Sequence, residues 1–452
     1  MKNRYHFIAI GGSAMHSLAL ALHHNNYNIS GSDDEIFDPA KTRLQNAGLL
    51  PAQMGWFPEK ITPELHGVIL GMHAKADNPE LLKAKEIGVP IFSYPEFLHK
   101  AFVDKKRIVI GGSHGKTTIT SMILHIFNTY NLDMDYMVGA QLKGLDNPVK
   151  ISQAALAIIE GDEYLTSPID LRPKFHLYKP HLAIISGIAW DHINVFPTFE
   201  KYLEQFSIFI DTIEPNGVLL YNNEDEMVRK VVSENTRTDI TKIPYQTPDY
   251  KQFESHADIH FDSQTFKMQV FGRHNFLNAA AAIGIAKECG LTEEQAWKAL
   301  ESFTGAEKRL EKLEENERGS VFKDFAHAPS KVRSTLSAFL EKTQKALPCF
   351  ELHTYSSLNK DFLPQYAGSL NSAEEAVVYF SPHALEIKRL PMLSEEDIRT
   401  AFNHPNLKIF TAPTDLKEFI LSKKGEYKHL LMMSSGNWDG LDLKELAKEF
   451  LG

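Results

Sequence analysis

Cysteine is nearly absent from this 452-residue sequence, which has only Cys289 and Cys349. Two thiols so far apart suggest neither a disulfide framework nor a structural zinc site, and they point to a reducing compartment, the cytoplasm. Long apolar runs are missing as well: no stretch approaches the roughly 18 apolar residues that a membrane-spanning helix requires. The nearest is FIAIGGSAMHSLALAL, preceded by Lys2 and Arg4 in the basic-then-apolar order of a signal peptide. His16 interrupts it, and strand, glycine turn and helix describe it better. A basic excess is also lacking. Lys and Arg number 48 against 58 Asp and Glu, a net charge of -10, without the cationic surplus that binding a nucleic-acid backbone usually needs. Short-period repeats and low-complexity tracts are absent too.

What is present is ordinary in bulk and patterned in detail. Hydrophobic residues at 43%, charged residues at 23% and a mean hydropathy of -0.27 describe a soluble globular chain long enough for two to four domains. Residues 5–10 (YHFIAI) predict a strand, Gly11-Gly12-Ser13 a turn and 14–24 a helix. A second strand starts at Tyr27 and runs into Gly31-Ser32-Asp33-Asp34, and HGVILGM and VPIFSY then alternate with the helical PELLKAKEIG. That alternation argues a parallel sheet. The pattern restarts at Arg107–Ile110, a strand followed by a glycine loop and a helix over 118–129, and strands recur at ALAIIE, HLAIISGI and GVLLYN before a helical run from Asn275. The charged stretch from Thr304 to Gly319 predicts a domain boundary. A third α/β pattern follows through SVFKDFA, CFELHTY, EAVVYF, LKIFTA and HLLMMSS.

Gly112-Ser113-His114-Gly115-Lys116-Thr117, continuing into Thr118, lies between an apolar strand and a helix. This is the setting of a nucleotide phosphate loop: glycines let backbone N–H groups curl around phosphate oxygens, Lys116 can neutralise β/γ charge, and the Thr117 hydroxyl can ligate Mg²⁺. The loop departs from GxxxxGK[ST], because Ile110 stands where the leading glycine belongs. ATP or GTP is the expected ligand. The first turn, Ile10-Gly11-Gly12-Ser13-Ala14-Met15, departs further from a dinucleotide fingerprint, although Asp33 stands where a ribose-binding carboxylate would. An NAD-dependent oxidoreductase built on that turn is the competing enzyme class.

Glu160-Gly161-Asp162-Glu163 and Asp191-His192 each follow an apolar strand, which puts them beside the phosphate loop at the carboxyl ends of a parallel sheet. Taken singly, the first could be a solvated turn and the second a helix cap. Asn275, within Gly272-Arg273-His274-Asn275-Phe276-Leu277-Asn278, could be a plain N-cap. Lys308-Arg309 and Lys323-Asp324-Phe325-Ala326-His327-Ala328-Pro329 are equally ambiguous alone.

Their order is not ambiguous. GSHGKT, EGDEY, WDH, GRHNFLN, KRLE and DFAHAP in succession resemble the Mur ligase family of ATP-dependent amide-bond-forming enzymes, over nearly the whole chain. The resemblance implies an α/β chain of three domains. A Rossmann-like N-terminal domain (1–107) would hold a UDP-sugar, a central P-loop ATPase domain with a parallel sheet (108–312) would bind ATP, and a Rossmann-like C-terminal domain (313–452) would deliver the amine. It also implies that Gly112, Ser113, His114, Gly115, Lys116, Thr117 and Thr118 hold ATP phosphates, that Thr117 and Glu160 hold a first Mg²⁺, and that His192 holds a second metal. His274 and Asn275 would face adenine, Arg309 the γ-phosphate and Asp324 the ribose; Lys116, His192 and Arg309 would act in catalysis. Gly11, Gly12, Ser13, Ser32 and Asp33 would meet the UDP-sugar.

The IGG turn with SGSD looks like the branch of the family that uses UDP-N-acetylmuramic acid itself. Two kinds of member share that branch, one joining the tripeptide L-alanyl-γ-D-glutamyl-meso-diaminopimelate and the other L-alanine. EYLTSPIDLRPKFHLYKP, between Glu160 and His192, is similar to an insertion of the tripeptide-joining kind, which is the expectation here. Either way an acyl phosphate would precede the amide. Three departures stand out: Ser13-Ala14 replaces a usual Ala-Gly, Ala328 the second histidine of a common HHP, and ELHTY (Glu351–Tyr355) a usual Arg-Ser-Asn.

Overall fold

In the computed structural model of the chain the described residues are 3–72, 74–139, 142, 144–190, 195–253, 255–305 and 310–452. They form two compact units. The first comprises Met1–Ile188, Pro197–Gln246 and Ala281–Leu291, the second Ala189–Phe196, Thr247–Ala280 and Thr292–Gly452.

The first unit opens on β1 (Arg4–Ile8), α1 (Ser13–His24), β2 (Asn28–Ser32), α2 (Ala40–Asn46), β3 (Gly67–Leu70), α3 (Pro79–Ile87), β4 (Ile91–Ser93) and α4 (Tyr94–Ala101). The N-terminal apolar stretch is therefore strand, turn and helix. Four parallel strands run in the order β2-β1-β3-β4. Phe7, Ile8, Val68, Ile69 and Leu70 are fully buried, as expected of parallel strands covered on both faces. Capping matches the sequence: Asn78 accepts from Glu80 N and Leu81 N, and Ser93 and Glu96 form a reciprocal capping box.

The chain continues through β5 (Lys106–Gly111), α5 (Lys116–Thr129), β6 (Met134–Met137), β7 (Val149–Lys150), β8 (Leu156–Glu160), a hairpin of β9 (Leu165–Ser167) and β10 (Asp170–Pro173), β11 (Leu182–Ile185), α6 (Phe199–Asp211), β12 (Val218–Asn222), α7 (Glu226–Glu234) and β13 (Thr241–Tyr245). Seven of these strands form one sheet, β13-β12-β11-β5-β8-β6-β7, parallel except for β7. The insertion-like EYLTSPIDLRPKF is the β9–β10 hairpin with a following turn, anchored by fully buried Phe175, whose ring stacks on Phe209 at 4.6 Å. Arg107, 2% exposed, stitches this region together. Its guanidinium donates to the carbonyls of Phe102, Val103, Lys105, Tyr178 and Lys179 and pairs with Glu214 at 2.9 Å.

The second unit contains an antiparallel sheet of β14 (Tyr250–Gln252), β15 (Ala257–Phe261) and β16 (Gln264–Met268). Then come α8 (Arg273–Glu288), whose last residues belong to the first unit, and α9 (Glu293–Leu300). The third α/β pattern is β17 (Glu311–Asn316), β18 (Gly319–Asp324), α10 (Pro329–Thr343), β19 (Leu347–Leu352), β20 (Ala376–Phe380), α11 (Pro382–Ile387), α12 (Glu395–Phe402), β21 (Leu407–Phe410), α13 (Pro413–Ser422), β22 (His429–Met433) and α14 (Leu443–Leu451). Its sheet runs β17-β18-β22-β19-β20-β21 and is parallel apart from β17. The charged stretch expected to hold a domain boundary contains that edge strand: EKLEEN pairs antiparallel with β18 and spans residue 312. No helix among the described residues is long and apolar enough to cross a membrane.

Candidate active site

The central sheet changes direction at β5. From it β8 and β6 extend to one side and β11, β12 and β13 to the other, and open α/β sheets take ligands at the carboxyl end of a strand in that position. The glycine loop emerges there, between β5 and α5. Two of its glycines are required by shape. Gly112 has φ 131°, and a Cβ on it would come 2.1 Å from Ser186 Oγ; Gly115 at φ 82° caps α5. The loop leans on the chain after β11: Ser113 N donates to Gly187 O at 2.9 Å, Ser186 Oγ donates to the carbonyls of Gly111 and His114, and the His114 ring packs against Gly187. The first turn of α5 carries no acidic side chain, so its amides keep their positive potential. Thr118 is buried in that turn.

Lys116 Nζ donates to Gly112 O at 2.6 Å and to Glu163 Oε2 at 2.6 Å. The Glu163 side chain is only 1% exposed. Its Oε1 accepts from the Tyr202 hydroxyl at 3.1 Å, and that hydroxyl lies 2.8 Å from Ser113 Oγ, within the loop itself. Burial works against the Lys116 charge, but Glu163, with Asp162 and Glu160 behind it, outweighs burial and holds the ammonium above the usual lysine range. Glu160, at the end of β8, accepts from Thr117 Oγ1 at 2.7 Å and from Gly139 N at 2.9 Å. A hydroxyl and a carboxylate so close, at the foot of a phosphate loop, are hard oxygen donors suited to Mg²⁺ with phosphate and water completing the shell. No group of three or more His, Cys, Asp or Glu suited to a metal occurs among the described residues. His192 and Arg309 lie outside them.

The first glycine turn stands at the end of β1, again where the strand order reverses. Asp33 Oδ2 accepts from Gly11 N at 2.7 Å, and a Cβ on Gly11 would come 2.9 Å from that oxygen. Burial raises the Asp33 carboxyl above its ordinary value against the pull of the Gly11 amide. Buried Ser32 accepts through its carbonyl from Ala9 N and Ile10 N, and Gly12 O accepts from His16 N, starting α1 from Ser13.

In the second unit Asn275 is not an N-cap. It is the third residue of α8 and its side-chain amide donates back to Phe271 O at 2.8 Å, with His274 beside it. Asp324, at the end of β18, has both oxygens engaged, Oδ2 by Leu310 N at 2.7 Å and Oδ1 by Ala326 N at 2.7 Å and Thr335 Oγ1 at 3.1 Å. Ala328 is the N-cap position of α10 and provides no side-chain bond. Glu351, in the ELHTY departure, is 1% exposed and binds Trp438 N and Ser434 Oγ in the loop after β22. Sequence patterns missed Tyr202 altogether and gave Glu163 no task; its spacing three residues beyond Glu160 on a strand exit was the available signal.

The Mur ligase family catalytic domain matches residues 4–106, and the Mur ligase middle domain matches 110–286. UDP-N-acetylmuramate–L-alanine ligase of Carboxydothermus hydrogenoformans is 30% identical over 82% of this chain and 81% of that protein. The UDP-N-acetylmuramate–L-alanyl-γ-D-glutamyl-meso-2,6-diaminoheptandioate ligase of Haemophilus influenzae is 26% identical over 98% of both. Among solved structures, a murein peptide ligase from Psychrobacter arcticus superposes with TM-score 0.65 at 21% identity, covering 100% of this chain and 99% of that one. The UDP-N-acetylmuramate-alanine ligase of Thermotoga maritima gives 0.69 at 19% identity, covering 99% and 98%. With a glycine loop at the switch point of the central sheet and relatives matching along most of its length, the chain belongs to the Mur ligase family of ATP-dependent amide-bond-forming ligases.

Proposed function

We propose that the chain joins the lactyl carboxylate of UDP-N-acetylmuramic acid to the amine of L-alanyl-γ-D-glutamyl-meso-diaminopimelate in the cytoplasm. The observation that carries this choice is the β9–β10 hairpin and its buried Phe175 anchor, the segment whose sequence is similar to the tripeptide-joining enzymes. A second reading, L-alanine as the amine, is supported by the relatives at 30% identity and by ELHTY (Glu351–Tyr355), which lacks the Arg-Ser-Asn usual in the tripeptide enzymes.

In this proposal residues 1–107 hold the UDP-sugar on Gly11, Gly12, Ser13, Ser32 and Asp33, residues 108–312 bind ATP, and residues 313–452 bring the amine. The lactyl carboxylate oxygen attacks the γ-phosphorus of ATP and ADP leaves; the amine then attacks the acyl phosphate and phosphate leaves. Such a transfer asks chiefly for position and charge neutralisation. Lys116 supplies a cation on the phosphates from a rigid loop, and Gly112–Thr118 offer amides and hydroxyls. Thr117 and Glu160 would hold Mg²⁺, which would neutralise charge on the phosphate oxygens, and His192 is assigned to a second metal. His274 and Asn275 are assigned to adenine, Asp324 to ribose and Arg309 to the γ-phosphate. The deciding experiment is phosphate release with ATP, Mg²⁺ and UDP-N-acetylmuramic acid, offering the tripeptide and L-alanine separately. Turnover with the tripeptide at least about tenfold above L-alanine in kcat/KM is expected, a difference of about 1.4 kcal/mol in transition-state binding; the reverse order replaces the first reading with the second.

A further inference from the structure

The first glycine turn is poorly equipped for an anion as double-charged as a diphosphate. Gly11 N is already given to Asp33, Asp34 follows at once, and neither the turn nor the first turn of α1 contains a cation. The segment after α2 makes good the deficit. Gly55 N donates to Asp33 O at 2.7 Å, which lays this segment along the end of β2. Phe57 N donates to Glu80 Oε1 at 2.8 Å, and Glu80 is itself buried against His6 at 3.2 Å, so the Phe57–Lys60 turn is fixed from the core of the sheet. On that turn Lys60 lies over the Phe57 ring at 4.2 Å and reaches Ser32 Oγ at 3.3 Å. Ser32 also interacts with Glu80, yet no carboxylate oxygen among the described residues comes within ion-pair distance of Lys60 Nζ. The result is an ammonium held beside the glycine turn by an aromatic face and a hydroxyl, with its charge left for an anion.

We infer that Lys60 is a substrate-binding residue for the diphosphate of the UDP-sugar. This rests on the assignment of the first domain to UDP-N-acetylmuramic acid, and the test separates the two. Isothermal titration of wild type, Lys60→Ala and Lys60→Arg with UDP and with uridine reads the contact directly. Wild type binds UDP; Lys60→Ala weakens UDP at least about tenfold and leaves uridine within about twofold, while Lys60→Arg keeps most of the UDP affinity. In turnover, KM for UDP-N-acetylmuramic acid rises in Lys60→Ala with KM for ATP unchanged. Equal UDP affinity in wild type and Lys60→Ala overturns the role of Lys60 and leaves the domain assignment intact. Parallel losses for UDP and uridine make Lys60 a structural residue and also overturn it. A wild type that binds neither ligand removes the domain assignment and this inference with it.

Discussion

Two ionisable side chains separate what a buried charge does for chemistry from what it does for stability. Lys116 stays charged because Glu163 overcomes its burial, so in the role proposed for it the side chain offers phosphate a cation. Lys116→Ala should lower turnover by on the order of 10²-fold or more, because the lost charge matters most where the γ-phosphate carries developing charge; steady-state kcat within about twofold of wild type would remove that role. Glu351 shows the opposite situation. Burial pushes its carboxyl above the ordinary value, and Ser434 and Trp438 N only partly pull it back. The folded state then binds the proton that the unfolded chain releases just above pH 4.5, so this residue makes stability fall as pH rises through that window. Glu351→Gln should flatten that part of the stability–pH profile, measured by thermal unfolding between pH 4 and 7; an unchanged slope contradicts the assignment. Sequence made Lys116 legible through its glycines, whereas Glu351 was visible there only as a departure from a motif. Its burial depends on a loop more than eighty positions away, which no local pattern encodes.

At the level of elements, apolar runs were enough to locate β1, β5, β8 and β12 within a residue or two, and β11 within three. β17 was not legible because an edge strand with one face in solvent can be as charged as EKLEEN and still pair through its backbone. The turns around Arg107 were equally hidden. That guanidinium satisfies five carbonyls that come from two separate turns. Arg107→Met should cost about 3–5 kcal/mol, since it strands buried acceptors and leaves Glu214 without its partner. Thermal unfolding shows this as a midpoint several degrees lower; a midpoint within a degree of wild type would mean water replaces the side chain.

For the whole molecule, an acidic chain that is to handle two anionic nucleotides, as proposed above, must localise its positive potential. The chain does so with few side chains and many amides, at strand ends where the order of a parallel sheet reverses. The family was legible because six short motifs keep their order across the chain. The choice of amine was not, because Ala328 and ELHTY (Glu351–Tyr355) leave the expected pattern and relatives of both kinds match the chain.

The carboxylate of Glu163 on the phosphate-loop lysine has one more effect. An arriving anion must exchange with a partner of similar strength already in place, so contact with Lys116 alone yields little net gain. With Lys116 in its proposed role, inorganic phosphate and other small anions should be weak competitors, and occupancy should fall to a ligand that brings a base, a sugar and several phosphates at once. A pairing that looks like an obstacle to binding works as a threshold, below which simple ions do not fill the loop.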